Sequence, residues 1–82
     1  MSKAILDTIE DIDNLYKHIA LNIKKHRKDK GLSQLAFSQE IGIKSVSFYC
    51  DCENSKNGKH FNLIHLVNIS YVLNISIDDL LN

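Results

Sequence analysis

The sequence predicts an all-α fold, a bundle of five helices, and three observations carry that expectation. The 82 residues contain no proline and only three glycines, which leaves little of the punctuation a strand-rich fold needs. Apolar residues recur three and four apart in the first and fourth segments. Ser33, Ser45 and Ser76 each stand just before a helical pattern, where a hydroxyl can cap free backbone N–H groups. A hydrophobic fraction of 44% suffices for one small core. The chain divides into an N-terminal helical extension, residues 1–16, and a domain over 17–82.

The first helix is expected from about residue 3 to 29, with Gly31 ending it. Ile5, Ile9, Ile12, Tyr16, Ile19 and Ile23 are spaced 4, 3, 4, 3, 4 along it, a heptad seam. Two readings of its first half stand side by side. The stripe folds against its own domain, or Ile5, Ile9, Ile12 and Tyr16 meet a second chain in a homodimer.

The second helix follows Ser33, with Phe37 and Ile41 four apart on one face. Gly42 suits the left-handed backbone of a sharp turn, and Ile43 can plug the corner. Lys44 or Ser45 opens the third helix, in which Phe48 and Cys52 continue the inward face. Two short helices meeting at one glycine form a helix-turn-helix, whose second helix can enter a DNA major groove. That helix is expected over about residues 45–54. Residues 54–60 are polar and turn-rich. Leu63, Leu66, Ile69 and Leu73 mark a fourth helix from about 62 to 73. Ser76 then caps a short fifth one, with Asp78 and Asp79 near its positive end.

Charge is distributed unevenly around a net value of zero. Asp7, Glu10, Asp11 and Asp13 make the start acidic, and Lys24, Lys25, Arg27, Lys28 and Lys30 form a basic run. Lysines at the end of the first helix complement its dipole in any case. Lys44, Lys56, Lys59 and His60 flank the third helix, where cations can meet backbone phosphates. Ser45, Val46, Ser47 and Tyr49 are the candidates to face the groove. Ser donates and accepts, Val can meet a thymine methyl, and Tyr can reach a phosphate or a base edge. The helix is read as lacking the Arg, Gln or Asn that read bases bidentately, and Asp51, if it points outward, would repel phosphate or accept from a cytosine amine.

Other classes are disfavoured. No apolar run approaches the length of a membrane span, and the start lacks a signal-peptide pattern. Two cysteines two apart on a helix, Cys50 and Cys52, should stay free thiols, as in the cytoplasm. With His60 and His65 they give a spacing unlike that of structural zinc sites, so no metal is expected. There is no phosphate-cradling glycine loop, paired carboxylate or nucleophile elbow, so neither a cofactor nor an enzymatic activity is expected.

Taken in order, these segments resemble the Cro/repressor-like helix-turn-helix family, also called the xenobiotic-response-element type. The likeness covers about residues 17–81. It rests on Ile23 and Arg27 before Gly31, Leu32-Ser33-Gln34, Ile41-Gly42-Ile43, Glu53-Asn54, and Leu63…Leu66…Ile69…Leu73-Asn74-Ile75-Ser76-Ile77-Asp78-Asp79-Leu80. The resemblance implies a five-helix repressor-like bundle that binds double-stranded operator DNA as a dimer to regulate transcription. It implies that Gln34 touches a phosphate, that positions 44–51 face bases and backbone, and that Arg27 and Glu53 form an internal ion pair. The chain departs from the family pattern in four places. Ser38 stands where alanine is usual, and His26 where a leucine-like residue is usual. Asp51 occupies an ordinarily apolar position, so Cys52 is expected to turn inward instead. The loop after Glu53 is also longer. The competing class keeps the fold as a protein-interaction module, in which the acidic face and apolar seam bind a regulatory protein. Leu35 and Tyr49 would then form an apolar patch near the third helix.

Overall fold

A computed structural model describes residues 8–82 of the chain; Ile5 lies outside them. The described residues form α1 (Ile9–Asp29), α2 (Gln34–Glu40), α3 (Val46–Asn54), α4 (Leu63–Leu73) and α5 (Ile77–Leu81), with no strand among them. α1 packs against α3, α5 and α4, while α2 rests on α3 and α4 on α5.

The start of α1 differs from the expected position near residue 3. Thr8 is extended, at φ −125° and ψ 157°, and its hydroxyl accepts the Asp11 N–H at 3.0 Å. Glu10 and Asp11 occupy the first turn, where the helix dipole favours negative charge. A capped and charged start of this kind fixes the helix at Ile9. At the other end, Gly31 adopts φ +71°, and the Leu32 N–H reaches the Arg27 carbonyl at 3.2 Å.

Side chains from every helix meet in one core. Ile19 and Ile23 come from α1, Phe37 from α2, and Tyr49 and Cys52 from α3. Phe61, Ile69, Leu73 and Leu80 close it from the other side. The Phe37 and Tyr49 rings meet edge to face at 5.7 Å, a favoured aromatic geometry. Asn22 Nδ2 donates to the Leu80 carbonyl at 2.9 Å, which ties α5 to α1. α4 begins with a capping box: Asn62 Oδ1 accepts the His65 N–H at 2.8 Å, and His65 Nδ1 accepts the Asn62 N–H at 3.1 Å. Ser76 and Asp79 form a second box at α5.

Within the described residues the N-terminal seam has two parts. α1 runs unbroken through residues 16 and 17, so the extension is continuous with the domain's first helix. Leu15 packs on the core, and Tyr16 stacks on His60 with ring centroids 3.8 Å apart and planes within 10°. Tyr16, for which both a contact within its own domain and a dimer contact were expected, is engaged with the loop of its own chain. Ile9 and Ile12 remain exposed.

Candidate nucleic-acid interface

The unit of interest is α2, the turn after it, and α3. Ser33 caps α2 by accepting the Ala36 N–H at 3.0 Å, which satisfies one of the free donors of its first turn. α2 ends at Ile41, and Gly42 takes φ +80°, a conformation costly for any residue with a Cβ. That reversal brings the Ile43 N–H to the Ser38 carbonyl at 2.9 Å and drives the Ile43 side chain into the core. Ser38 is itself buried, and its hydroxyl donates to the Leu35 carbonyl at 2.8 Å. Ser45 then caps α3 by accepting the Phe48 N–H at 3.1 Å.

Behind α3 lies a polar cluster centred on Glu53, which is only 3% exposed. Arg27 donates from Nε to Glu53 Oε2 at 2.9 Å and from Nη2 to Oε1 at 2.9 Å, a bidentate ion pair. Its third contact runs from Nη1 to the Leu32 carbonyl at 2.6 Å. Tyr49 donates its hydroxyl to Glu53 Oε2, and Gln34 Nε2 donates to Oε1 at 3.1 Å. One carboxylate therefore joins α1, α2 and α3. No buried side-chain nitrogen or oxygen among the described residues lacks a partner. Burial by itself would raise the Glu53 carboxyl. The hydrogen bonds from Arg27, Tyr49 and Gln34 outweigh it and hold the group below the usual carboxylate value. The Tyr49 phenol moves the opposite way, raised by burial and by donation to Glu53.

Two sequence-based expectations are corrected by this cluster. Tyr49 does not face outward; it is fully buried, because its ring fills the space between Phe37 and Phe61 while its hydroxyl serves Glu53. Gln34 is not a free group at the start of α2. It is half-buried, donating to Glu53 and accepting from Cys50 Sγ at 3.1 Å. With Tyr49 inside, the apolar patch with Leu35 does not form, and Leu35 stands exposed without it.

The inward stripe of α3 is therefore Tyr49, Cys52 and Glu53, with half-buried Phe48 at its edge. Burial, with the Asp51 charge adding to it, pushes the Cys52 thiol up to about 11, so it remains a neutral packing group. At 3.6 residues per turn the opposite stripe carries Ser47, half-buried Asp51 and Asn54, with Cys50 beside them and Val46 at its margin. Ser47 and Asn54 are exposed, and Val46 and Cys50 are partly so. Cys50 and Asn54 were not among the expected outward residues. Helical phase counted from Tyr49 as an inward residue identifies both. Asp51 accepts from Asn57 Nδ2 at 3.2 Å, which occupies part of its carboxylate.

Exposed lysines bracket this stripe. Lys44 precedes the Ser45 cap. At the far end Ser55 turns left-handed, at φ +55°, and the Lys56 N–H closes on the Asp51 carbonyl at 2.8 Å. Lys59 lies with Nζ 6.0 Å from the centroid of the Phe48 ring. His60 is held by its stack on Tyr16.

Among the described residues no group of three or more His, Cys, Asp or Glu is arranged to hold a metal ion, and no helix is long and apolar enough to cross a membrane. In comparisons with known proteins the chain matches no protein-family model, no curated protein and no solved structure.

Proposed function

We propose that this chain is a sequence-specific, double-stranded DNA-binding transcriptional regulator of the Cro/repressor-like type, acting in the cytoplasm on an operator with two half-sites. The observation that carries the reading is the two-sided character of α3. Its inner side is fixed by the Glu53 cluster to α1 and α2. On its outer side Ser47 and Asn54 make no side-chain hydrogen bond within the described residues, while Cys50 donates to Gln34 and Asp51 accepts from Asn57, and exposed lysines bracket the stripe. A reading helix needs this combination of a rigid mount and free polar side chains.

In this reading Lys44, Lys56 and Lys59 neutralise phosphates and set affinity, while Ser45, Val46, Ser47 and Asn54 read base edges. Asn54 supplies the amide that can pair bidentately with adenine. The outer stripe itself carries no cation, and Asp51 within it weakens attraction to phosphate. Affinity would then come from the flanks, with modest non-specific binding.

Selection from a pool of random duplexes tests the proposal. The expected result is enrichment of one sequence, bound more weakly as salt rises. Failure of any duplex to bind better than random DNA at moderate salt would overturn it and favour the protein-interaction module.

A further inference from the structure

α4 is apolar on both sides, and the described structure covers only one of them. Ile69 and Leu73 are buried in the core, with Leu66 and Val72 packed beside them. Leu63, Ile64, Val67 and Tyr71 are 70%, 70%, 48% and 86% exposed. At 100° per residue these four fall within an arc of about 100° and form one continuous face. A helix apolar on all sides belongs in an interior. We infer that the outer face of α4 is the surface through which two copies of this chain associate about a two-fold axis.

Area, charge and shape each point to a second copy. The four side chains present roughly 500 Å² of surface, within the range of functional patches on monomers. The same area matches the apolar share of one side of a standard interface, which is a little over half of about 800 Å². Across a two-fold axis a surface meets itself, so a charged patch would face its own sign. α4 contains no Asp, Glu, Lys or Arg; the arc and its margins add only the uncharged Asn74, Ser70 and Asn68, and Glu40 of α2 stands at the edge. A charged partner would find no counter-charge on this helix. Shape agrees with charge. Tyr71 forms one wall of a shallow, open depression that Glu40, Val67, Ser70, Val72, Asn74 and Ile75 also line. The depression is continuous with the apolar face, so across a two-fold axis the Tyr71 of each copy can lie against the depression of the other.

This assignment differs from the N-terminal seam, where Tyr16 is already stacked on His60. It rests on no DNA contact and is tested without DNA, so it can fail separately from the regulator reading.

Sedimentation of the full chain across low to high micromolar concentrations is the test. The wild type is expected to pass from monomer to dimer mass. Val67→Asp and Tyr71→Ser are each expected to weaken the dimer by at least about tenfold. An Ile9→Ser/Ile12→Ser double variant is expected to leave it unchanged. Helix content by circular dichroism checks folding, and Tyr71→Ser, at the most exposed position, carries the result if Val67→Asp does not fold. A wild type that stays monomeric throughout would overturn the inference. So would a dimer unaffected by Tyr71→Ser or lost in the Ile9/Ile12 variant.

Discussion

Tyr49 donates its hydroxyl to Glu53 one turn further along α3, on the same Oε2 that receives Arg27 Nε at 2.9 Å. The two residues form the inner edge of the helix and hold its rotational setting. If Glu53 is lost, a buried guanidinium and a buried phenol are left without their acceptor. Breaking one partner of such a pair costs about 3–5 kcal/mol, whereas removing one hydrogen bond to a charged group costs about 1.5–3 kcal/mol. Glu53→Ala should therefore destabilise the chain more than Tyr49→Phe does. Urea denaturation reads both values, and an unchanged curve for Glu53→Ala would contradict the role given to the pair.

Gly42 isolates the energetics of the turn. A Cβ built there meets nothing within 4 Å, so the substitution adds no clash. The backbone conformation, φ +80°, is left as the source of cost. Gly42→Ala should lower stability by about 1–2 kcal/mol with the helix content retained. A neutral result in thermal melting would mean that the turn relaxes.

Features set by local chemistry were legible in the sequence. Ser33, Ser45 and Ser76 cap α2, α3 and α5 because a hydroxyl answers the free N–H groups of the turn beside it. The buried place of Cys52 followed from helical spacing once Asp51 was set outside the core. The Arg27–Glu53 pair, now seen as a bidentate contact, came from resemblance, because nothing local links residues 26 apart. The phase of α3 was harder. Phe48 and Tyr49 are adjacent aromatics, and only the gap between Phe37 and Phe61 selects Tyr49 as the fully buried one. Gln34 looked like an exposed helix-start residue because its partners, Glu53 and Cys50, lie on another helix. Thr8 starts α1 later than the isoleucine spacing implied, since periodicity does not register a cap.

Acid should destabilise the domain in two stages. Burial holds the His65 imidazole below its ordinary value, and its Nδ1 accepts the Asn62 N–H in the cap of α4. The unfolded chain takes up this proton near pH 6.5 and the folded chain only at lower pH, so stability falls as pH drops from about 6.5. The depressed Glu53 carboxyl adds a further loss as pH falls below about 4.3, where the unfolded carboxylate protonates first. Urea midpoints measured against pH should show both. His65→Gln should flatten the upper stage and leave the lower one in place.

The proposed division of labour on α3 separates affinity from sequence choice. Lys56 follows the αL turn at Ser55, and its backbone is pinned to the Asp51 carbonyl, so its cation sits at a defined end of the helix. As a phosphate contact it carries no sequence information. Lys56→Ala should weaken all duplexes alike and reduce the salt slope by about 1. Asn54 lies on the outer stripe, exposed, on the same turn of the helix as the fixed Glu53. As a base-reading residue it should behave differently: Asn54→Ala should cost about 1–3 kcal/mol on the selected duplex, little on random DNA, and leave the slope intact. Asp51→Asn removes the one negative charge on the outer stripe and should strengthen binding to every duplex. Titrations of the three variants at several salt concentrations distinguish these outcomes. If Asn54→Ala and Lys56→Ala lose affinity in the same pattern, α3 does not read bases through Asn54 and the register of the helix on DNA must be sought elsewhere on its outer face.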